Sequence, residues 1–210
     1  EQKVPDMIDR RLFLATVSTG ILLSAISMPT VAQERLKVVA SFSIIGDMVR
    51  EVAGDDIALA TIVGFDRDAH SFQPRPADSR ALADADLVIT SGIGFEPWME
   101  RLAASAGFAG RMVEASAGVQ TRAFTEEDDY DGDDGADTAH DHGRGPVDPH
   151  AWQDPVNGVV YINNIAAALS EADPDNADQF RERADAYIAN LRMLDGQIRE
   201  QLAQIPAERR

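Results

Sequence analysis

Residues 36–54, Leu-Lys-Val-Val-Ala-Ser-Phe-Ser-Ile-Ile-Gly-Asp-Met-Val-Arg-Glu-Val-Ala-Gly, change hydrophobic period within a few positions. Leu36 to Ser41 is short and β-branched, which reads as a strand. Ile44, Ile45, Met48, Val49 and Val52 then recur at helical spacing before Gly54, so the stretch is one βα unit. The pattern repeats downstream. Ile57–Val63, Asp86–Thr90 and Arg111–Ala115 read as further strands, with helices expected over Pro76–Ala83 and Glu96–Ala106. Strict alternation of this kind predicts right-handed crossovers and a parallel sheet covered on both faces. The expectation is an α/β fold, a doubly wound four-stranded parallel sheet over about residues 36–117.

On the N-terminal side, Arg10 and Arg11 precede an apolar run from Leu12 to Met28 that ends in Pro29-Thr30-Val31-Ala32. This is the tripartite pattern of an export signal over residues 1–32. The run carries Thr16, Ser18, Thr19, Ser24 and Ser27 and falls short of the roughly 20 apolar residues of a membrane span. Both a Sec signal and a twin-arginine signal, from Arg10-Arg11-Leu12-Phe13-Leu14, accommodate it.

On the C-terminal side the chain changes character. Between Glu126 and Asp137 eight of twelve residues are acidic and none is basic, so the segment lacks the apolar area to offset ordering entropy and is expected to be a solvated loop. It runs on into Ala139-His140-Asp141-His142-Gly143. Asp154 with Pro155 then forms a helix start, for a helix expected to reach about Glu171. A second one is expected from Pro174, capped by Asp173, to about Gln204, some 45 Å at 1.5 Å per residue. That exceeds the width of a four-stranded lobe, so its far stripe of Leu194, Ile198 and Leu202 needs a partner beyond the lobe. The organisation expected is an export signal at 1–32, an α/β lobe at 33–172 with the loop 119–147, and a long helix at 173–205.

The composition narrows the chemistry. The 210 residues hold 36 acidic and 19 basic side chains, a formal net charge of -17, and no cysteine. Zero cysteine excludes disulfides, thiolate metal sites, a cysteine nucleophile and an acylated cysteine in these residues. The acidic balance argues against nucleic acid, which calls for clustered Lys and Arg, and suits a cation. Of the four histidines, at 70, 140, 142 and 150, His70 follows the second strand and His150 follows the fourth across the acidic loop. Both fall beyond the carboxyl ends of parallel strands, where open α/β sheets bind ligands. Neutral imidazoles from separate loops suit a borderline-soft divalent ion such as Zn²⁺. Trp98 and Trp152 read as core aromatics near the cleft, and Asp148 and Asp154 as turn and cap residues. Glu96 reads either as a carboxylate behind a ligand imidazole or as part of the first turn of its helix. Asp66 and Asp68 are candidates to orient His70, and the sequence does not decide between them and a loop role.

Three motifs carry a resemblance. Asp68-Ala69-His70-Ser71-Phe72-Gln73-Pro74 with Pro76-Ala77-Asp78, then Gly92-Ile93-Gly94-Phe95-Glu96-Pro97-Trp98, then Asp148-Pro149-His150-Ala151-Trp152-Gln153-Asp154-Pro155 resemble, in order, those of the metal-binding solute-binding proteins of zinc and manganese ABC importers. The resemblance covers about residues 36–205. It implies the N-terminal lobe of a two-lobe clamshell, with the helix from Pro174 as the connector and His70 and His150 as metal ligands. The remaining ligands of that family come from a second lobe, for which no segment matches, so the sequence reads as a family member ending after its connector. Zinc members of the family carry a His-rich and acidic insertion where this chain has its acidic loop. The resemblance therefore implies Zn²⁺ as cargo, with His140, Asp141 and His142 as an auxiliary collecting site, and Mn²⁺ as the alternative.

The same resemblance implies a periplasmic, monomeric binding protein. Its partner would be an ABC permease in the inner membrane, with a periplasmic metallochaperone as a second one. With two ligands in the sequence, Zn²⁺ binding by these residues is expected to be weak unless His140 or His142 supplies a third. An adhesin-like surface role is a further reading. A metal-dependent hydrolase is disfavoured, since neither a His-Glu-x-x-His motif nor a nucleophile elbow is present.

Overall fold

The computed structural model describes residues 34–123 and 147–209. The expected export signal and His140, Asp141 and His142 lie outside the described residues. Four strands, β1 (Lys37–Phe42), β2 (Ala58–Val63), β3 (Leu87–Thr90) and β4 (Arg111–Glu114), form one parallel sheet in the order β2-β1-β3-β4. Val38 pairs with Leu59 on one side and Leu87 on the other, and Val88 pairs with Met112. The two central strands are buried on both faces. Val38, Val39, Ala40, Leu87, Val88 and Ile89 are almost wholly shielded, as a continuous apolar run in a covered parallel strand should be. The edge strands alternate or open to solvent.

Helices α1 (Ser43–Ala53), α2 (Pro76–Ala83) and α3 (Met99–Ala106) make the crossovers. Helix α1 shares its side of the sheet with α4 (Pro155–Ala172) and α5 (Ala177–Ala203), while α2 packs with α3. Thus the doubly wound α/β fold read from the sequence is the fold observed. Asp154 caps α4 by accepting the Val156 N–H at 2.8 Å, with Pro155 in the first turn.

Two helix starts differ from the sequence reading. Helix α3 begins at Met99 rather than Glu96, because the Glu96 side chain is drawn into the core and bonds strand ends instead of opening a helical turn. Before α5 comes a single 3₁₀ turn, Pro174–Asn176, and Asp173 accepts the Asn176 side-chain amide at 2.7 Å rather than capping the helix. Asp and Asn side chains compete in this way for local hydrogen bonds.

Helix α5 has two unlike halves. Ala177, Phe180, Ala184 and Ile188 are buried against the lobe, and the Arg183 guanidinium bonds Asp56 and the Ala53 carbonyl, both at 2.7 Å. Beyond Leu191, the residues Met193, Leu194, Ile198 and Leu202 are exposed. The stripe for which the sequence offers no partner is thus exposed among the described residues. No described helix is long and apolar enough to cross a membrane.

Candidate metal centre

The order β2-β1-β3-β4 puts a topological switch point between β1 and β3, and the crevice at their carboxyl ends is where such sheets bind ligands. Each strand exit contributes to it. The β1 exit supplies Phe42, the loop after β2 supplies His70, and the loop after β3 supplies Phe95. The connection after β4 returns through an antiparallel bridge, Ala123 with Val147, and delivers His150. His70 Nε2 and His150 Nε2 stand 3.2 Å apart. Two nitrogens on the 2.0–2.1 Å arms of tetrahedral zinc are separated by about 3.3 Å, so the pair already spans two corners of such a site.

The tautomer of His150 follows from its partner. Asp148 Oδ1 accepts the His150 backbone N–H at 2.9 Å and faces ring Nδ1 at 2.8 Å. An ionised carboxylate only accepts, so Nδ1 carries the hydrogen, and in the neutral ring Nε2 is the lone-pair atom facing His70. Burial pushes the Asp148 carboxyl upward, but bonds from His150 and from Arg122 outweigh it and hold the carboxyl below its ordinary value. Read from sequence as a turn residue, Asp148 also orients the His150 ring. The signal was in the sequence, as an acid two positions before a histidine, but that spacing is equally a turn.

His70 is placed through its backbone. Asp68 accepts the His70 N–H at 2.8 Å, the Ser71 N–H at 3.3 Å and the Ser71 hydroxyl at 2.5 Å. The Ser71 hydroxyl, with the two amides, draws the Asp68 carboxyl below its ordinary value. Asp68 therefore orders the turn that carries His70. Trp98, only 4% exposed, donates its indole N–H to the Ala69 carbonyl at 2.8 Å and pins that turn to the core. Below the imidazoles lies an aromatic floor. Phe95 meets His70 edge-on with centroids 4.6 Å apart, and Trp152 meets Phe95 at 4.3 Å and His150 at 5.2 Å. Such a floor keeps water from one side and strengthens electrostatics above it.

Glu96 is 7% exposed. Its Oε1 accepts the Ser41 hydroxyl at 2.5 Å and the Ser91 N–H at 2.8 Å, and Oε2 accepts the Gly92 N–H at 3.2 Å. These groups sit at the carboxyl ends of β1 and β3, so Glu96 ties the two central strands together beneath the floor. The turn that brings it there has positive φ at three successive residues, Gly92, Ile93 and Gly94. At Gly92 a Cβ would also lie 2.7 Å from Ser116 Oγ. Burial raises the Glu96 carboxyl above its ordinary value, partly offset by these hydrogen bonds.

Chemically, the arrangement presents two nitrogen donors, one with its tautomer fixed, in a crevice with oxygen donors nearby and no sulfur. That set suits a divalent first-row metal. Among the described residues, no group of three or more His, Cys, Asp or Glu side chains is placed to hold a metal ion. The pair is therefore half of a tetrahedral set within them.

Comparison with known proteins identifies the family. Residues 38–210 match the family described as "Zinc-uptake complex component A periplasmic". The chain is 32% identical over 202 residues to "Iron-binding protein YfeA" of Yersinia pestis, covering 94% of this chain and 58% of that protein. It is 33% identical over 177 residues to "Manganese-binding lipoprotein MntA" of Halalkalibacterium halodurans, covering 84% and 53%. Among solved structures, the Mn-bound periplasmic metal binding protein from Candidatus Liberibacter asiaticus superposes with a TM-score of 0.70 at 26% identity, covering 83% of this chain and 59% of that one. The chain spans just over half the length of the curated relatives it matches. The family description and these relatives' names denote binding and uptake components rather than enzymes.

Proposed function

The chain belongs to the family of zinc-uptake complex component A periplasmic proteins, and from that premise we propose that it captures a divalent transition metal for an ABC importer. In this reading His70 and His150 are ligands from one wall of the site, and the metal passes to a membrane permease without chemical change. The observation that carries it is the 3.2 Å approach of the two Nε2 atoms at the switch point of the sheet. The remaining coordination positions would be filled from outside the described residues. The protein would work on the outer face of the cytoplasmic membrane, where an export signal over residues 1–32 would send it.

Zinc is the cargo we favour, because it takes imidazole nitrogen in a tetrahedron. The acidic loop, with His140, Asp141 and His142, would raise the local cation concentration beside the cleft. Manganese is the second reading, supported by relatives named for manganese and by the Mn-bound structural neighbour. Calorimetric titration of Zn²⁺ and Mn²⁺ into the protein and its His70→Ala and His150→Ala variants tests the proposal. Each substitution should weaken binding at least about tenfold, and the metal bound more tightly by the parent identifies the cargo. Undiminished binding in the double variant would place the metal elsewhere.

A further inference from the structure

The Asp148 carboxylate has a second partner that the metal reading leaves without a role. Its Oδ2 accepts from Arg122 Nε at 2.8 Å and pairs with Nη2 at 2.7 Å, while Oδ1 serves the His150 backbone and ring. We propose that Arg122 is a positioning residue for His150, acting through Asp148 to present His150 Nε2 toward His70. The inference rests on the reading of His150 as a metal ligand.

Geometry makes this more than a surface ion pair. Arg122 and Asp148 are held opposite each other by the backbone, since the Asp148 N–H donates to the Arg122 carbonyl at 3.0 Å and the neighbouring pair Ala123 and Val147 forms a bridge. The guanidinium therefore starts within reach and loses little freedom in making the contact. Asp148 itself is only 8% exposed. A carboxylate this shielded needs its charge matched, and the cation beside it is Arg122. With both guanidinium donors on Oδ2, that oxygen is engaged and Oδ1 is left facing His150. The carboxylate plane, and with it the imidazole, is fixed from behind. Arg122, Asp148 and His150 line one cleft of about 300 Å³ with Thr121 and Asn157, so the chain of contacts follows one cleft wall as far as His150.

Long-range proton–nitrogen spectra of the metal-free protein report which His150 nitrogen carries the hydrogen. Zn²⁺ titration reports affinity. In the parent, Nδ1 should carry the hydrogen. Arg122→Ala should shift His150 toward a mixture of tautomers and lower Zn²⁺ affinity roughly tenfold, and Arg122→Lys should recover most of both. Because the Arg122 side chain is 71% exposed, its loss is compatible with folding. The inference is overturned if Arg122→Ala keeps the parent tautomer and affinity while His150→Ala loses binding. If His150→Ala binds Zn²⁺ as the parent does, the metal-centre reading fails instead, and the tautomer in the metal-free protein alone decides whether Arg122 orients His150.

Discussion

His70 Nε2 and His150 Nε2 approach to 3.2 Å although the residues are 80 positions apart in the chain. Neither residue reaches the other by local structure. The approach is set by the sheet, whose parallel strands put the exits of the two edge strands β2 and β4 at one end, and by the two long connections and short carboxylate turns that carry the histidines back over it. Consequences follow for the parts that hold this arrangement.

Trp98 is the anchor of the His70 turn. Trp98→Phe fills most of the same volume but leaves the Ala69 carbonyl without its donor, and an unpaired buried acceptor costs about 1–3 kcal/mol. Urea unfolding should show a loss of that size, and Zn²⁺ affinity should fall with it. Stability and affinity both equal to the parent would contradict the anchoring role.

Glu96 links stability to pH. Because burial raises its carboxyl in the folded protein, its contribution to stability is fully present below the ordinary carboxyl value of about 4.5. That contribution is lost as pH rises through the higher folded-state value. Glu96→Gln stays neutral throughout, so its stability should fall less than the parent's as pH is raised from about 4.5. Unfolding midpoints measured across that range would sink the idea if the two curves ran parallel.

The two halves of α5 should respond unequally to substitution. Phe180→Ala opens the core and should cost about 3–5 kcal/mol. Leu194→Gln or Leu202→Gln alters the exposed stripe and should change stability of the lobe by no more than about 0.5 kcal/mol. Chemical denaturation of the three variants checks this, and a large loss at Leu194 or Leu202 would mean that the far half packs on the lobe.

Much of this was legible in the sequence where the signal is local and periodic. The change of period between Val39 and Ile45, repeated through β4, suffices for a doubly wound sheet, and the loops after β2 and β4 then place His70 and His150 at one end. What was not legible depends on where a single polar side chain points. Glu96 sits one residue before a proline in a segment that reads as a helix start, and only burial among the ends of β1 and β3 makes it a strand tie. Asp148 has the spacing of a turn residue and performs that role as well as orienting His150. Arg122 carries no sequence signal, because its partner lies 26 residues away across the acidic loop. The three-residue delay in α5 has the same origin, since Asp173 and Asn176 bond each other rather than the helix backbone.

X-ray absorption of the Zn²⁺-loaded protein tests the shared-metal claim most directly. Two imidazole nitrogens at about 2.0–2.1 Å are expected, with one lost in His70→Ala and one in His150→Ala. An imidazole contribution unchanged in the double variant would contradict the assignment of these two residues as the ligands.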